Sequence, residues 1–494
     1  MERRDDNAYV MRTPVTGRQK SLEKSEVNRQ FMIKIGNVSL CAAILVSLAQ
    51  TSVAQAVFPL KLSENHRYLV DQNGKPFLMV GDTPQGLMGR LTEEDAEYYF
   101  ADREAHGFNT MGWIDVMCAG NDYKWNKDAV TPDGIKPFNG YVAGGTDFTH
   151  YDLSKPNEAY FTRLDHIVQL AAKHHLLVFI DPIETIGWLP ALRNNGMKAA
   201  SAYGQYLGNR YKGYSNVTWL NGNDFNMWTV PEDDDLVQAV SKGIRSVSPN
   251  QIQTVELHVR TSSSFDDPRW IPLIELNGTY TYSPTYIQML HSYNQKPVAP
   301  VVMIEAHYDW EDVGTPPDFG TPYVLRKEDY WTTLSGGIGQ WYGNKYTWSF
   351  ADGWKGKIDT PGVEQLGIWA KFFSSVPWQD LVPDQDHKVL TAGFGTFGNV
   401  DTRVSESDYA TAAKTDDGST IVVYVPTVRA ITIDMACLRG EAKAQWFDPT
   451  SGSYQDVAGG PFANNGSKQF TPPGKNHDGD GDWVLLLKTS SASQ

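Results

Sequence analysis

The sequence predicts a (β/α)8 barrel followed by an antiparallel β-sandwich. Eight short apolar runs alternate with helical patterns between about residues 76 and 345, and eight is the number of strands that closes such a barrel. The helical period then disappears, and short strands separated by turn signals follow. The length agrees, since 494 residues accommodate one barrel and one smaller module. We therefore expect an N-terminal extension at 1–56, a barrel at 57–377 and a sandwich at 378–494.

The N-terminal extension contains the pattern of a secretory signal peptide at about residues 32–56. Lys34 precedes an apolar run at 38–48, and Ala54-Gln55-Ala56 fits the small-residue motif of a cleavage site. The residues before this pattern have no globular periodicity, so we expect them to be disordered. The apolar run is too short to span a bilayer. We expect a secreted or periplasmic protein without a stable membrane span.

The amino-acid composition limits which classes of molecule the protein is expected to bind. The formal net charge is −15, and the first 56 residues are themselves basic, so the remainder is more acidic still. Such a surface repels nucleic acid and anionic membranes. Cys118 and Cys437 are far apart in the sequence, which excludes a disulfide framework. The 15 Trp and 24 Tyr exceed what packing usually requires and favour a sugar cleft, although a Trp-rich core is the alternative. The oligomeric state is left open.

Each barrel strand is predicted from an apolar, β-rich run. The intervening patterns are helical: Thr92 is placed as an N-cap with Gly107 ending that helix, and 160–171 carries apolar residues at helical spacing. The stretch 117–155 is too long for an ordinary loop and is either functional or decoration. The predicted strands are 77–83, 108–115, 176–182, 216–224, 252–258, 273–280, 301–307 and 336–344.

Two flanking regions complete the prediction. Before the first strand, Asn73-Gly74 marks a hairpin turn in a lead-in segment that we expect to cap one end of the barrel. After residue 378, six short runs with turns at 416–418 and 448–449 predict the sandwich. The alternating acids of 477–483 resemble a calcium loop but lack its closing Glu, so we expect a polar turn.

Polar side chains at the carboxyl ends of the strands are the candidate site, because in a barrel these ends form the active-site mouth. They are carboxylates, amides and aromatic rings with almost no Lys or Arg, which suits a neutral polyhydroxylated ligand and not a phosphate. His258, His307 and Asp181 lack the spacing of a metal site, and neither a metal nor a cofactor is predicted. The candidate residues are Asp82, Trp113, Asp181, Asn221, Asp224, His258, Tyr282, Glu305, His307, Trp341 and Tyr342.

Hydrolysis of a glycosidic bond needs two carboxyl groups, one protonated and one ionised. Asp224 at the fourth strand and Glu305 at the seventh meet this requirement, and many retaining barrel glycosidases draw their pair from the same two strands. Structural alternatives stay open. Asp224 could cap a helix, Glu305 could pair with an Arg such as Arg326, and Asp82 could belong to a turn.

Four motifs resemble the apiosidase-like barrels of glycoside hydrolase family 140. They are "GKPFLMVGDTPQGLMGRLTEEDAEYYFADREAHGFNTM", "NVTWLNGND", "MIEAHYDW" and "DYWTTLSGGIGQWYG". The tail from "TAGFG" through "AQWFDPTSGSY" to "DWVLLL" resembles the β-sandwich of the collagen-binding type found in this group. We expect that sandwich to be a structural support or a sugar-binding accessory, since the name of a fold does not establish its ligand.

The resemblance implies a (β/α)8 glycosidase with Asp224 as acid/base and Glu305 as nucleophile, acting by double displacement on side chains of a pectin-type polysaccharide. Asn223 stands where the group has glycine, and 337–340 departs from its usual Ala-Ala-Gly-His. The pocket wall therefore differs, so arabinofuranose is expected beside apiose as the sugar. An inverting enzyme and a non-catalytic carbohydrate-binding barrel are the alternatives. The remaining candidates would hold sugar hydroxyls, with Trp113 or Trp341 as a stacking face.

Overall fold

Eight parallel strands form the barrel in the computed structural model, which describes residues 55–118, 124–258 and 260–489. Two short strands, Thr261–Ser263 and Tyr308–Asp309, extend the same sheet to ten. The predicted signal peptide lies almost wholly outside the described residues. Every predicted barrel strand is confirmed, with its ends shifted by a few residues at most. The strands are β1 (Met79–Asp82), β2 (Thr110–Asp115), β3 (Leu177–Asp181), β4 (Val217–Phe225), β5 (Gln253–Leu257), β6 (Asn277–Thr281), β7 (Val301–Glu305) and β8 (Gly337–Asn344).

The sheet curls into a nearly closed barrel with the order β5-β4-β3-β2-β1-β8-β7-β6. At the seam between β5 and β6, the backbone N–H of Glu275 donates to the carbonyl oxygen of Gln253 at 3.0 Å. The hydroxyl of Ser264 bridges the same gap: it donates to the carbonyl of Val255 and accepts from the N–H of Gly278 at 2.9 Å. The fold class is therefore the predicted (β/α)8 barrel.

Helices surround the barrel as the sequence patterns predict. The Thr92 hydroxyl accepts from the N–H of Asp95 at 3.1 Å and caps α2, and Gly107 follows that helix with a φ of 88°. The apolar face predicted at 160–171 is fully buried. The helices are α1 (Leu87–Arg90), α2 (Glu93–Ala105), α3 (Glu158–Lys173), α4 (Thr185–Tyr211), α5 (Pro231–Val247), α6 (Thr285–Asn294), α7 (Pro322–Leu334) and α8 (Pro361–Ser374).

Aromatic side chains fill the inside of the barrel. The indole of Trp341 lies on the backbones of β1 and β2, where a Cβ at Gly81 or Gly112 would come within 2.2 or 2.3 Å of it. Its ring centroid is 4.8 Å from that of Phe179 and 6.4 Å from that of Trp113. The absence of side chains at Gly81 and Gly112 therefore leaves the space that the Trp341 indole fills, and the barrel interior is closely packed as a result.

The lead-in segment and the long loop both pack against the barrel domain. Strands Lys61–Leu62 and Leu69–Val70 pair, and Gly74 has the positive φ of the predicted hairpin turn. In the long loop, the Trp188 indole N–H on α4 donates to the carbonyl of Met117 at 2.8 Å. Residues 119–123 of that loop lie outside the described part of the chain.

The C-terminal strands form an antiparallel sheet of six and another of three. Side chains alternate along Thr420–Val425, the third strand of the larger sheet: Ile421, Val423 and Val425 join the sandwich core, whereas Val422 and Tyr424 join the core of the barrel domain. The strands are Leu381–Pro383, Leu390–Ala392, Thr411–Thr415, Thr420–Val425, Ile431–Asp434, Ala442–Phe447, Tyr454–Asp456, Ser467–Phe470 and Trp483–Thr489.

A buried ion pair joins the sandwich to α7. The Arg326 guanidinium, 1 % exposed, donates to the Asp482 carboxylate at 2.9 and 3.0 Å and to Asp480 at 2.7 Å. Next to it, the Lys327 ammonium donates to the carbonyls of three residues at 404–407, each at 3.0 Å. Arg326 is therefore not a partner of Glu305, and the acids of 477–483 belong to this interface.

We predict that Arg326→Met lowers the free energy of unfolding by about 3–5 kcal/mol, because the buried Asp482 carboxylate loses its cation. Urea unfolding followed by tryptophan fluorescence measures the change. Arg439→Met is the control, since Arg439 pairs with Asp417 at 2.7 Å on the surface and should contribute less than about 1 kcal/mol. Equal effects of the two substitutions would contradict a structural role for the Arg326 pair.

Candidate active site

Glu305 is the last residue of β7, and tyrosine hydroxyls hold both of its carboxylate oxygens. The Tyr282 hydroxyl donates to Oε1, and the Tyr308 hydroxyl donates to Oε2 at 3.1 Å. Tyr308 in turn accepts from the side-chain amide of Gln85 at 2.9 Å. The carboxylate of Glu305 is buried but has donors on both sides, which fixes its direction at the mouth of the barrel.

Asp224 lies at the end of β4 in an unusual backbone conformation. Its φ is +47°, and Gly222 two residues earlier also has a positive φ of +68°. The Asp224 N–H donates to Oε2 of Glu256, on the neighbouring β5, at 2.8 Å. Its side chain is 24 % exposed and lies 3.9 Å from Nε2 of His258. Asp224 is thus the more accessible of the two predicted catalytic carboxyls.

Aromatic rings line the side of the site next to β5 and β6. The His258 ring lies 4.7 Å from that of Tyr280, and Tyr280 lies 5.3 Å from Tyr282, each pair edge to face. The His258 Nδ1 is hydrogen-bonded to the side chain of Asn226, and burial lowers the pKa of its imidazole. The structure therefore brings His258 and Tyr282 together with the predicted carboxyls.

Like charges and burial control the protonation of this group. Burial, followed by the charge of Asp224, raises the pKa of Glu305 well above its ordinary value, and the bonds from Tyr282 and Tyr308 oppose that rise. Burial, followed by the charges of Glu305 and Asp224, likewise raises the pKa of Glu256. Three carboxyl groups this close titrate as a set, and at least one of them retains a proton as the others ionise.

A second carboxyl pair lies on β2 and β3. Asp115 and Asp181 are register partners on adjacent strands, both fully buried, and their carboxyl groups hydrogen-bond to each other. Oδ1 of Asp181 also accepts from the N–H of Ile183 at 3.0 Å. Burial raises the pKa of Asp181 to about 7, so this pair shares a proton at neutral pH. Asp181 belongs to the base of the site and is not open to a ligand in this structure.

His307 does not orient Glu305. Its Nδ1 lies 2.6 Å from Oε1 of Glu328 on α7, and its backbone N–H donates to Oε2 of the same residue at 3.2 Å. Burial opposes the charged imidazole, but the charge of Glu328 raises the pKa of His307. The other ring nitrogen, Nε2, is buried and has no hydrogen-bond partner among the described residues. His307 therefore keeps a free polar atom beside Tyr282, whose ring lies 5.6 Å away.

Asp82 does not fit the predicted role of holding a sugar hydroxyl. Its carboxylate accepts from the guanidinium of Arg103, the hydroxyl of Tyr99 and the N–H of Thr83, and the residue is fully buried. Both oxygens are occupied by partners on β1 and α2. Asp82 therefore anchors α2 to β1. This role is structural, and the prediction that Asp82 holds a sugar hydroxyl is corrected.

Trp113 and Trp341 are not stacking faces. Both lie inside the barrel with at most 1 % exposure, and the Trp341 indole N–H points to the sulfur of Met79 at 3.0 Å. A sugar ring has no access to either indole in this structure. The alternative of a Trp-rich core is therefore correct for these two residues.

Tyr342 and Asn221 point away from the mouth. The Tyr342 hydroxyl donates to Oδ2 of Asp309 at 2.9 Å, and its ring packs on Phe108. The Asn221 amide donates to the backbone carbonyl of Thr254 at 2.9 Å and to the side chain of Gln253. Both residues connect strands to their surroundings and are corrected from substrate-binding to structural residues.

Two residues that contact the predicted carboxyls are not in the list of candidate site residues. Tyr308 directly follows the predicted β7, where the sequence makes it a candidate for orienting Glu305 or the sugar, and its hydroxyl does contact Glu305. Glu256 is the next-to-last residue of β5, close in sequence to the candidate His258. The position of Glu256 at a strand end was the available signal. Among the described residues, the group spaced to hold a metal ion is Asp102, His106 and Asp359, on α2 and before α8, so it is separate from this site.

Family models match both the barrel and the sandwich segments of the chain. A family model described as "Apiosidase-like, catalytic domain" matches residues 63–380, which is more than half of the chain. The chain belongs to the apiosidase-like family. A second model, "Putative collagen-binding domain of a collagenase", matches residues 399–488. The resemblance found in the sequence motifs is thereby confirmed for both segments.

Solved structures resemble the apiosidase-like chain over most of its length. One, a "Glycoside hydrolase", shares 23 % identity with a TM-score of 0.72, covering 88 % of this chain and 97 % of its own. A glycoside hydrolase family 5 protein from Bacteroides vulgatus shares 21 % identity with a TM-score of 0.71, covering 88 % and 94 %. At these identities the likeness establishes the fold.

The apiosidase-like chain is a glycoside hydrolase, as its membership of this family shows. No curated protein matches the sequence. None of the described helices is long and apolar enough to cross a bilayer.

We predict that Asp181→Asn reduces the pH dependence of stability. The folded-state pKa of Asp181, about 7, exceeds the ordinary 3.8 of an unfolded Asp, so its contribution is complete below pH 3.8 and is lost as pH rises towards 7. The fall in unfolding free energy between pH 4 and pH 8 should shrink in Asp181→Asn by on the order of 1–4 kcal/mol. Urea unfolding across this range measures it. Asp352→Asn, at a fully exposed carboxylate, should follow the wild-type curve; a wild-type curve for Asp181→Asn would contradict the shared proton.

Proposed function

We propose that the protein is a retaining glycosidase in which Glu305 is the nucleophile and Asp224 the acid/base. The observation that supports this best is the contrast between the two carboxyls. Glu305 is buried and held by two hydroxyl donors that favour its ionised form, whereas the side chain of Asp224 is 24 % exposed and lies 3.9 Å from Nε2 of His258. One group is fixed for attack, and the other can exchange a proton.

The double displacement assigns each group two tasks. In the first step, Glu305 attacks the anomeric carbon while Asp224 gives its proton to the leaving glycosidic oxygen, which leaves as an alcohol. In the second step, Asp224 takes a proton from water as that water attacks the same carbon and releases Glu305. The charge of Asp224 opposes ionisation of both carboxyls at once, and the first step needs the remaining proton to lie on Asp224, which the hydrogen bonds from Tyr282 and Tyr308 to Glu305 favour.

The substrate is proposed to be a neutral sugar on a pectin-type polysaccharide, with apiose or arabinofuranose as the cleaved residue. The site offers phenol hydroxyls from Tyr280 and Tyr282 and imidazoles from His258 and His307 beside its carboxyl groups. No Lys or Arg among the described residues forms an ion pair with Glu305 or Glu256. Such groups exchange hydrogen bonds with sugar hydroxyls. Membership of the apiosidase-like family favours apiose. We further infer that the enzyme is exported, on the basis of the signal-peptide pattern at about residues 32–56.

We predict that Asp224→Asn and Glu305→Gln each lower kcat by about 10²- to 10⁴-fold, because each removes a group that transfers a proton or attacks the substrate. Monosaccharide release from rhamnogalacturonan II, arabinan and arabinogalactan measures the effect. Asp352→Asn, at an exposed carboxylate, is the matched control and should retain full activity. Wild-type rates in either catalytic variant would overturn the assignment.

The stereochemistry of the product distinguishes the remaining alternatives. Proton NMR during hydrolysis should show the anomer of the substrate as the first product, as double displacement requires. Initial release of the opposite anomer would identify an inverting enzyme. Glycan binding without turnover by the wild type would identify a carbohydrate-binding barrel.

We predict that Tyr282→Phe moves the acidic limb of the kcat/KM profile to higher pH. The hydroxyl of Tyr282 favours the ionised carboxylate, so its loss raises the pKa of Glu305 further. A lost bond to a charged group corresponds to a shift of about one pH unit and a fall in kcat of about tenfold or more. Tyr286→Phe is the control, because the Tyr286 hydroxyl contacts Ser407 in the sandwich. An unchanged profile in Tyr282→Phe would contradict the role of this hydroxyl.

A further inference from the structure

Glu256 is a buried carboxyl group that the two-carboxylate mechanism does not use. It lies on β5 with 1 % exposure, and its Oε2 accepts the backbone N–H of Asp224 at 2.8 Å. Its Oε1 is buried with no hydrogen-bond partner among the described residues. No Lys, Arg or His of the described chain forms an ion pair with it. Ionisation of a carboxyl group buried this deeply, with no cation paired to it among the described residues, is unfavourable.

The hydrogen bond from Asp224 has a clear geometric task. Asp224 adopts a φ of +47°, a left-handed conformation that is unfavourable for a residue with a Cβ. The surrounding structure must supply contacts that keep it there. The bond to Glu256 is one such contact, and it sets the direction in which the Asp224 side chain leaves the backbone.

The described groups whose charges act on Glu256 are acidic. They are carboxyl groups of β3, β4 and β7 and phenol groups of β6 and of the segment after β7. An ionised Glu256 would therefore add a further negative charge to a buried acidic site. The residues that carry these groups are Asp181, Asp224, Glu305, Tyr280 and Tyr308.

We propose that Glu256 is a positioning residue that works as a neutral carboxylic acid. Its carbonyl oxygen accepts the Asp224 N–H and fixes the proton donor, while its protonated oxygen contributes no charge to the site. This assignment rests on the proposed function for the role of Asp224. It agrees with burial and the neighbouring charges, which raise the pKa of Glu256.

Substitution distinguishes a neutral acid from a carboxylate. Glutamine has the shape of protonated glutamic acid and keeps the acceptor, so Glu256→Gln should retain kcat/KM within about threefold, with both limbs of the pH profile in place. Glu256→Leu has similar volume but no acceptor and should lower kcat by about tenfold or more, the effect expected for one lost hydrogen bond to a catalytic group. If catalysis required a negative charge at residue 256, Glu256→Gln would lose activity as Glu256→Leu does.

Glu275→Gln is the matched control. Glu275 also accepts a backbone N–H of β5, from Gln253 at 2.9 Å, but at the opposite end of that strand, and it pairs with Arg245 at 2.7 Å. This control should leave activity and both pH limbs unchanged. A loss in Glu256→Gln as large as in Glu256→Leu, a displaced pH limb in Glu256→Gln, or full activity of a folded Glu256→Leu would each overturn the proposal.

Infrared difference spectroscopy tests the protonation state without any turnover. At pH 7, the wild-type spectrum minus that of Glu256→Gln should contain the C=O band of a protonated carboxylic acid, and wild type minus Glu275→Gln should not. Absence of the acid band in the first difference would overturn the proposal even in an active enzyme. A wild type that hydrolyses no glycan would instead refute the proposed function, and the infrared band would still decide the state of Glu256.

Discussion

The gathering of carboxyl groups at one end of the barrel, without a cation among them, is the constraint on which the site depends. Asp115, Asp181, Asp224, Glu256 and Glu305 come from five strands, and all but Asp224 are buried. Parallel strands in a closed barrel bring their carboxyl ends together, so the fold itself creates this crowding. Protons and tyrosine hydroxyls, instead of Lys or Arg, limit the repulsion. A site stabilised in this way is well suited to moving protons because small changes in its surroundings alter where they reside.

The strands were predictable because their apolar runs are bounded by turn and helix signals. The strand-end positions of Asp224 and Glu305 followed from the same pattern. What the pattern could not give was the side of the strand on which each polar residue lies. Strands of a barrel are buried on both faces, so the usual alternation of polar and apolar residues is absent. Asp82 ends β1, Tyr342 lies near the end of β8 and Asn221 lies in the middle of β4, but all three face the surrounding elements. Nothing in their sequence neighbours distinguishes them from Glu305.

Contacts between segments far apart in the chain could not be predicted from the sequence either. The indole of Trp341 fits where Gly81 and Gly112 lack side chains, a match that depends on the register of three strands. The tyrosine partners of Glu305 come from the residues after β6 and after β7, and both positions were recognisable because each tyrosine closely follows a predicted strand end. The role of Glu256 could not be predicted because it depends on a hydrogen bond with Asp224. A contact between two neighbouring strands is not visible in the sequence of either strand alone.

The order of three consecutive residues on α7 connects the two halves of the protein. Arg326 and Lys327 are held by the sandwich, and Glu328 holds the ring and the backbone of His307 beside the site. A shift of this helix along its axis would disturb all of these contacts together. The sandwich is therefore part of the frame that keeps the catalytic end in register, and the barrel alone would have to bury or solvate two cations before its active site could form.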